Sequence, residues 1–305
     1  MSRIELFHAG ELAIQKRAGV GERTIKFAER TILDHMSPQQ QDFFPQLNTL
    51  FVASIDAEDK LWASVLIGHQ GFVQTPDSKH LLIDNTLSID ADPLNQNLKL
   101  GKPLGFLGLE FHSRRRNRLA GNLVDYQHKQ MMIEITQAFG NCPKYIQTRK
   151  LTIAKQVGSF KKTKEVEYIN RFTKKIESMI KSADTFFIAS SVFDNGSYSA
   201  DLSHRGGHPG FVKIESDRVL SFDDYPGNNF YMTLGNLLSN PICGLLFLDF
   251  ESGDILQLSC QCEIIETPQS KNARKMKLTL EHGQLIKAAL PVEWELCEYS
   301  PFLQG

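Results

Sequence analysis

The sequence lacks any long apolar run: no stretch approaches the roughly 20 consecutive apolar residues that a membrane-spanning helix needs. Its opening, MSRIELFHAGEL, lacks the basic start and apolar stretch of a signal peptide. Neither sign of charge dominates, because 34 Lys and Arg stand against 35 Asp and Glu. The five cysteines have no regular spacing, which favours a reduced compartment over a disulfide framework. We therefore expect a cytoplasmic protein with no nucleic-acid or membrane partner.

Familiar catalytic motifs are missing as well. The sequence has no P-loop, no GxGxxG, no GxSxG and no HExxH. Cys260-x-Cys262 has no second cysteine pair or histidine cluster at metal spacing, so no metal site is predicted. No catalytic acid or base is identifiable. The chain is nevertheless typical of globular proteins, since 41% of its 305 residues are hydrophobic and 23% are charged.

The local patterns predict a mainly β protein with flanking helices, of the α+β class. Residues 1–48 have apolar positions three and four apart, which predicts helices, and Ser37-Pro38 is typical of a helix start. A second helix is predicted over 163–182 and a short one over 229–240. Short apolar segments separated by turns predict antiparallel strands. These lie at 51–57, 61–67, 80–84, 185–193, 210–214, 218–222, 243–250 and 254–265.

An internal repeat divides the strands into two sets. GFLGLEF from Gly105 and GLLFLDF from Gly244 are 139 positions apart (244 − 105), and a GFV tripeptide recurs at the same spacing. FVAS from Phe51 and FIAS from Phe187 are 136 positions apart (187 − 51). Two copies are too few for a solenoid, so we expect them to pack against each other as an intrachain pseudo-dimer.

The repeat also sets the predicted domain organisation. It divides the chain into an N-terminal helical segment (1–48), a first β unit (49–160) and a helix with a second β unit (161–305).

The segment DLSHRGGHPGF (201–211) is the first candidate site. Ser203, His204 and Arg205 place a hydroxyl, an imidazole and a guanidinium beside Gly206, where a ligand can approach the backbone closely. A guanidinium suits a phosphate or a carbonyl-bearing ring. A β-turn with solvated polar side chains explains the same residues equally well.

Two further segments carry candidate anion ligands. The segment YPGNNFYMTLGNLLSNP places four polar residues at or near a predicted helix start, where backbone N–H groups favour anions: Asn228, Asn229, Thr233 and Asn236. Helix capping is the alternative role for each of them. In SRRRNRLAG, one face of a predicted strand carries Arg114, Arg116 and Arg118, which are suited to a phosphomonoester. A charged edge strand that prevents aggregation is the alternative there.

Together these segments resemble a known family. Taken together, six motifs are similar to those of the pyridoxamine 5'-phosphate oxidase-related FMN-binding proteins. The motifs are DLSHRGGHPGFV, GNNFYMTLGNLLSNP, GLLFLDFESGDILQL, WASVLIGHQGFV, RRRNRLAG and NCPKYIQ. The resemblance is greatest to a subgroup with two split barrels in one chain, some of which are joined to ferredoxin-reductase-like modules. It implies two tandem antiparallel, Greek-key split barrels that hold FMN between them.

The resemblance also implies site residues. Ser203, His204, Arg205 and Gly206 would line the flavin. Asn228, Thr233 and Asn236 would contact the phosphate or ribityl end of the cofactor. Arg116 would contact the flavin from the other barrel.

The implied function is an FMN-dependent oxidoreductase that acts on a small molecule, with NAD(P)H or a reductase as electron donor. Because 227–229 read Gly-Asn-Asn where the oxidase has a basic pair, vitamin B6 oxidation itself is not expected. The alternative is a non-enzymatic module that holds flavin, haem or another planar cofactor for storage, sensing or electron relay. Association into a homodimer is left open.

Overall fold

The structure is a computed structural model that describes residues 6–85, 89–153, 165–194, 196–266 and 274–303. Strands dominate it: two large antiparallel sheets and one two-stranded sheet account for most of the regular structure. Within the described ranges, no helix combines the length and the apolar character that crossing a membrane requires.

Helices form where the sequence predicts them at the N-terminal end. Ser37 accepts a hydrogen bond from the backbone N–H of Gln40 and so caps the helix that Pro38 begins. The remaining helices border the sheets. The helices are α1 (Ala9–Arg17), α2 (Glu22–Thr31), α3 (Pro38–Phe43), α4 (Leu94–Asn97), α5 (Lys174–Ser182) and α6 (Met232–Ser239), with a 3-10 turn at Phe44–Gln46.

The first unit is a seven-stranded antiparallel sheet with the order β2-β1-β5-β6-β7-β4-β3. The three strands at one end of this sheet, β2, β1 and β5, are buried on both faces, which explains why their sequences are nearly continuous apolar runs. The strands are β1 (Thr49–Ile55), β2 (Leu61–Ile67), β3 (Val73–Gln74), β4 (His80–Asp84), β5 (Pro103–Glu110), β6 (Arg115–Gln127) and β7 (Gln130–Gly140).

The second unit repeats this order strand for strand, as β11-β10-β14-β15-β16-β13-β12, with β9 added on β16. A separate pair, β8 and β17, joins the end of the first unit to the end of the second. The strands are β8 (Thr148–Ile153), β9 (Val166–Ile169), β10 (Thr185–Asp194), β11 (Ser197–Gly206), β12 (Lys213–Ile214), β13 (Val219–Asp223), β14 (Ile242–Leu248), β15 (Ile255–Glu266), β16 (Arg274–Ile286) and β17 (Val292–Glu298).

One local prediction is wrong in part. The helix expected over 163–182 forms only from Lys174 to Ser182, and Val166–Ile169 is a strand on the edge of β16. Residues 163 and 164 lie outside the described ranges. Pairing with β16 satisfies the backbone of 166–169, a tertiary contact that outweighs helical periodicity.

The two units pack about a pseudo-two-fold axis. A Cβ on Gly105 would lie 2.5 Å from the carbonyl oxygen of Ala200, and a Cβ on Gly244 would lie 2.6 Å from that of Leu61. The two contacts are equivalent under the repeat, because Gly244 is 139 positions after Gly105 (244 − 105) and Ala200 is 139 positions after Leu61 (200 − 61). Phe51 and Phe187 stack across the axis with ring centroids 3.7 Å apart. The predicted fold class, a mainly β tandem pseudo-dimer, is confirmed.

Candidate functional site

A cleft of about 80 Å³ lies where β6 of the first unit faces β11 of the second. The segment 224–231, which leads into α6, closes it from one side. Most of the predicted site residues meet here although they come from three separate segments. Those lining the cleft are Arg116, Ser203, His204, Arg205, Asn228 and Thr233.

Arg116 projects into this cleft without a carboxylate partner among the described residues. Its Nε donates to the carbonyl oxygen of Cys142 (2.7 Å), and its Nη1 lies 3.4 Å from Nδ1 of His204. Burial, together with the charges of Arg205 and Arg118, lowers the pKa of Arg116 to about 10. The side chain stays protonated at neutral pH, so the cleft holds an uncompensated positive charge.

His204 is the most buried of the polar groups in the cleft, at 3% exposure. Burial and the nearby guanidinium groups of Arg116, Arg205 and Arg149 hold the pKa of His204 well below its ordinary value, so the ring is neutral. Its Nε2 has no hydrogen-bond partner among the described residues. A buried unpaired nitrogen costs about 1–3 kcal/mol, a cost that a bound ligand would remove.

Arg205 faces an acidic residue that the sequence analysis missed. Its Nη2 lies 3.4 Å from Oδ1 of Asp224, while its Nε has no partner within the described chain. Burial raises the pKa of Asp224, against the charges of Arg205 and Arg274. Asp224 directly follows β13, in the FDDYPG turn, and this position before a Pro-Gly turn was the only signal in the sequence.

The start of α6 forms another wall of the cleft. Thr233 and Ser203 bind each other through their hydroxyls at 2.9 Å, which fixes α6 against β11. No side chain caps the helix, and Tyr231 precedes it with a φ of 59°. Asn229 also has a positive φ, of 63°. Left-handed residues other than glycine are strained and cluster at functional sites.

Two loops from different units meet over the cleft. Asn228 Nδ2 donates to Oδ1 of Asn141 at 3.0 Å, and the hydroxyl of Tyr145 donates to the carbonyl oxygen of Pro226 at 3.1 Å. Asn141 and Tyr145 belong to the NCPKYIQ segment, whose role was not predicted from the sequence. The cleft is therefore closed by contacts that form only when the units pack.

Two predicted residues lie outside the cleft. Gly206 borders a smaller neighbouring cavity of about 50 Å³, and a side chain there would clash with the carbonyl oxygen of Tyr145. Asn236 is buried, and its Nδ2 donates to Ser190 Oγ (3.0 Å) and Asp201 Oδ2 (2.8 Å). In this structure its amide is therefore engaged within the protein.

The pseudo-symmetric counterpart of the cleft has a different composition. At the 139-residue offset, Ile255 and Gln257 take the places of Arg116 and Arg118. Gln257 Nε2 donates to the carbonyl oxygen of Ala63 at 2.9 Å. No arginine therefore reaches this position from β15.

A buried carboxylate completes the network on that side. Oδ2 of Asp92 accepts from Gln257 Nε2 (3.2 Å), and its Oδ1 accepts from Ser64 Oγ (2.6 Å). Gln284 Nε2 donates to Oε1 of Gln257 at 2.8 Å. Burial raises the pKa of Asp92 to about 6. Of the two sides of the interface, only the β6–β11 side has a cationic cleft within the described residues.

Comparison with known sequences finds no family model and no curated protein that matches this chain. Several solved structures match. HutZ, the heme storage protein from Vibrio cholerae, has 13% identity and a TM-score of 0.29, and the match covers 38% of this chain and 95% of that chain. An FAD-binding protein from Mesorhizobium loti has 9% identity and a TM-score of 0.27, covering 39% and 97%.

A candidate pyridoxamine 5'-phosphate oxidase from Corynebacterium glutamicum matches at 8% identity with a TM-score of 0.25, covering 40% of this chain and 93% of that chain. The structures that match therefore include one of the family that the sequence resembles. At these TM-scores the likeness says nothing about the ligand of this chain.

Proposed function

We propose that the cleft binds FMN and that the protein uses it for redox chemistry on a small molecule. The observation that carries this is Arg116, a protonated guanidinium in the cleft with no carboxylate partner among the described residues. A phosphomonoester carries about −1.5 to −2 charges and pairs well with guanidinium groups. It would neutralise Arg116 and offer an acceptor to Arg205.

The contacts in the cleft favour different phosphate ligands from those that the resemblance implies. Asn228 and Thr233 already bind Asn141 and Ser203. Arg205 Nε and His204 Nε2 are free of partners within the described residues. We therefore assign the phosphate to Arg116 and Arg205, with support from the uncapped first turn of α6.

The cleft is too small to hold the ring of the cofactor as well as its phosphate. Its volume of about 80 Å³ accommodates a phosphate but falls short of the ~300–1,000 Å³ of sites for larger ligands. The loops that carry Asn141 and Asn228 must therefore separate when the whole cofactor binds.

Bound flavin would supply hydride or electron transfer, while the protein supplies binding, orientation and electrostatics. Arg116 and Arg205 would hold the phosphate end and so fix the position of the ring. Asp224, with its raised pKa, is the group in the cleft best suited to carry a proton.

The alternative is a non-enzymatic module for a planar cofactor such as haem. The observation in its favour is His204, whose imidazole is neutral and has an Nε2 without a partner among the described residues. Ligation of iron through Nε2 would require the tautomer with its proton on Nδ1, which gives up the contact with Arg116. An absorbance spectrum of the purified protein with added FMN, and separately with haemin, distinguishes the two cofactors. Reduction of bound flavin by NADPH, followed by reoxidation, then separates an oxidoreductase from a binding module.

The deciding experiment compares FMN with riboflavin, which lacks the phosphate. Wild-type protein should quench FMN fluorescence at lower concentration than riboflavin fluorescence, and Arg116→Ala should abolish that preference. Arg115→Ala is the matched control, because Arg115 is the neighbouring residue and is exposed. Equal affinities for FMN and riboflavin in the wild type, or an unchanged preference in Arg116→Ala, would refute the assignment.

A further inference from the structure

A second and larger cavity, of about 500 Å³, lies between the units away from the arginine cleft. Trp62 of β2 and the start of α4 line it from the first unit, and β9 and β16 line it from the second. It shares no lining residue with the cleft. Its volume is within the ~300–1,000 Å³ typical of small-molecule sites, which often lie at domain interfaces.

The pseudo-symmetric counterpart of this cavity is filled by the N-terminal segment. Ala91 and Pro93 of the cavity correspond, 139 positions on, to Phe230 and Met232. Those two side chains border the arginine cleft, and they pack with Phe7 in one apolar cluster. The two sides of the interface are thus built alike, but only one is covered within the described chain.

Polar contacts show the same correspondence. Asn97 Nδ2 donates to Ser54 Oγ at 3.0 Å, as Asn236 Nδ2 does to Ser190 Oγ. On the filled side, His8 Nε2 lies 2.8 Å from Oδ1 of Asn236. On the open side Asn97 lines the cavity.

The lining of the open side does not suit an apolar segment like the N-terminal one. Ala91 stands where the filled side has Phe230. In the strand pairing, Arg118 lies opposite Phe139, and its counterpart Gln257 lies opposite Gln284. Gln284 therefore stands where the filled side has Phe139. The open side thus has two fewer aromatic rings than the filled side. The cavity gains volume and a side-chain amide in exchange.

Aromatic side chains occupy the walls instead. Trp62 is held in place by a hydrogen bond of 3.0 Å from its Nε1 to Oδ2 of Asp56. Tyr168 lines the cavity with 83% of its surface exposed. The buried indole and the exposed phenol both line the cavity, and each offers a face on which a planar ring can stack.

The charged residues of the cavity are already engaged. Oδ1 of Asp56 accepts from the backbone N–H groups of Glu58 and Lys60, and Nζ of Lys60 binds Glu58. A ligand therefore meets aromatic faces and amide groups, such as those of Gln96 and Asn170, rather than a surplus of one charge. In this respect the cavity differs from the arginine cleft, where positive charge dominates.

We infer that this cavity binds an uncharged heteroaromatic compound of the nucleoside type. Its ring would stack on Trp62 and Tyr168, and its donor and acceptor edges would bind the amides of Gln96 and Asn170. This site is independent of the FMN site proposed above.

The chain offers a direct reporter, because it contains two tryptophans and Trp294 packs elsewhere, against Phe111 and Phe250. Trp294→Phe leaves Trp62 as the only indole. Titration of this variant with adenosine and with cytidine should give a saturable change in fluorescence for at least one of them. Tyr168→Ala should weaken that binding by roughly ten-fold, since stacking contributes about 1–3 kcal/mol per base.

Tyr198→Ala is the control, because Tyr198 is a partly exposed tyrosine on β11 that does not line the cavity. It should leave the affinity unchanged, as should Arg116→Ala, since neither nucleoside carries a phosphate. Absence of a saturable change with both nucleosides would overturn the inference. So would full affinity in Tyr168→Ala. Neither result bears on FMN binding, which is measured separately by flavin fluorescence.

Discussion

Arg118 of the first unit and Asp201 of the second lie 2.6 Å apart across the interface, with 6% and 11% of their side chains exposed. Asp201 also accepts from Asn236, which connects the pair to α6. This ion pair compensates the charge of Arg118. Two positions earlier on the same strand, Arg116 has no such partner within the described residues, and this difference is the reason we propose it as the ligand-binding arginine.

Removing Asp201 should strongly destabilise the protein. Asp201→Ala leaves Arg118 as an uncompensated buried charge, so we expect a loss of about 3–5 kcal/mol in the free energy of unfolding. Urea unfolding followed by circular dichroism measures it. Glu22→Ala, which removes an exposed partner of Lys26, should change stability by less than about 0.5 kcal/mol. Similar effects of the two substitutions would show that the buried pair has no special role.

Methyl groups at the crossing glycines should push the units apart. Gly105→Ala and Gly244→Ala each place a Cβ about 2.5 Å from a backbone carbonyl oxygen of the other unit, and we expect each to cost about 1–3 kcal/mol or more. The control is Gly140→Ala, where the nearest atom lies at an ordinary 3.5 Å. Thermal unfolding midpoints measure the effect. A Gly140→Ala midpoint as low as the other two would contradict the packing described.

Asp92 should make stability fall as the pH rises from about 4 to 6. Because burial raises the pKa of Asp92 to about 6 in the folded state, the folded protein binds its proton more tightly than the unfolded chain. The stabilisation is present below the unfolded pKa and is lost as the pH rises through about 6.

Asp92→Asn should remove this contribution to the slope, whereas Glu251→Gln, at an exposed position, should retain it. Urea midpoints at several pH values between 4 and 7.5 test this. Identical profiles for Asp92→Asn and the wild type would refute it.

The contact between Asn141 and Asn228 should control ligand exchange. Asn141→Ala removes the 3.0 Å hydrogen bond between the two loops, so FMN should both enter and leave faster, with a smaller change in the dissociation constant. Stopped-flow flavin fluorescence measures both rates. Asn122→Ala, on β6 but not lining the cleft, should leave them unchanged. A change in affinity with an unaltered entry rate would count against a gating role.

Local patterns located most helices and eight of the seventeen strands in the described residues, because apolar periodicity and capping residues such as Ser37 act within a few residues. The segment 166–169 shows the limit: its strand depends on β16, more than 100 residues away. Among the site residues, sequence patterns selected six that line one cleft. They missed Asp224 and Asn141, because an isolated polar residue in a turn has no pattern.

The sequence by itself predicted two copies of one strand pattern, and it showed that the arginines of 114–118 have no counterpart 139 positions on, since both are properties of residue order. Only the tertiary structure decided which charges are neutralised. Arg116 and Arg118 are equivalent in the strand pattern, yet Asp201 of the other unit lies beside Arg118 alone. Charge compensation depends on distances across an interface, and these are fixed only when the two units pack together.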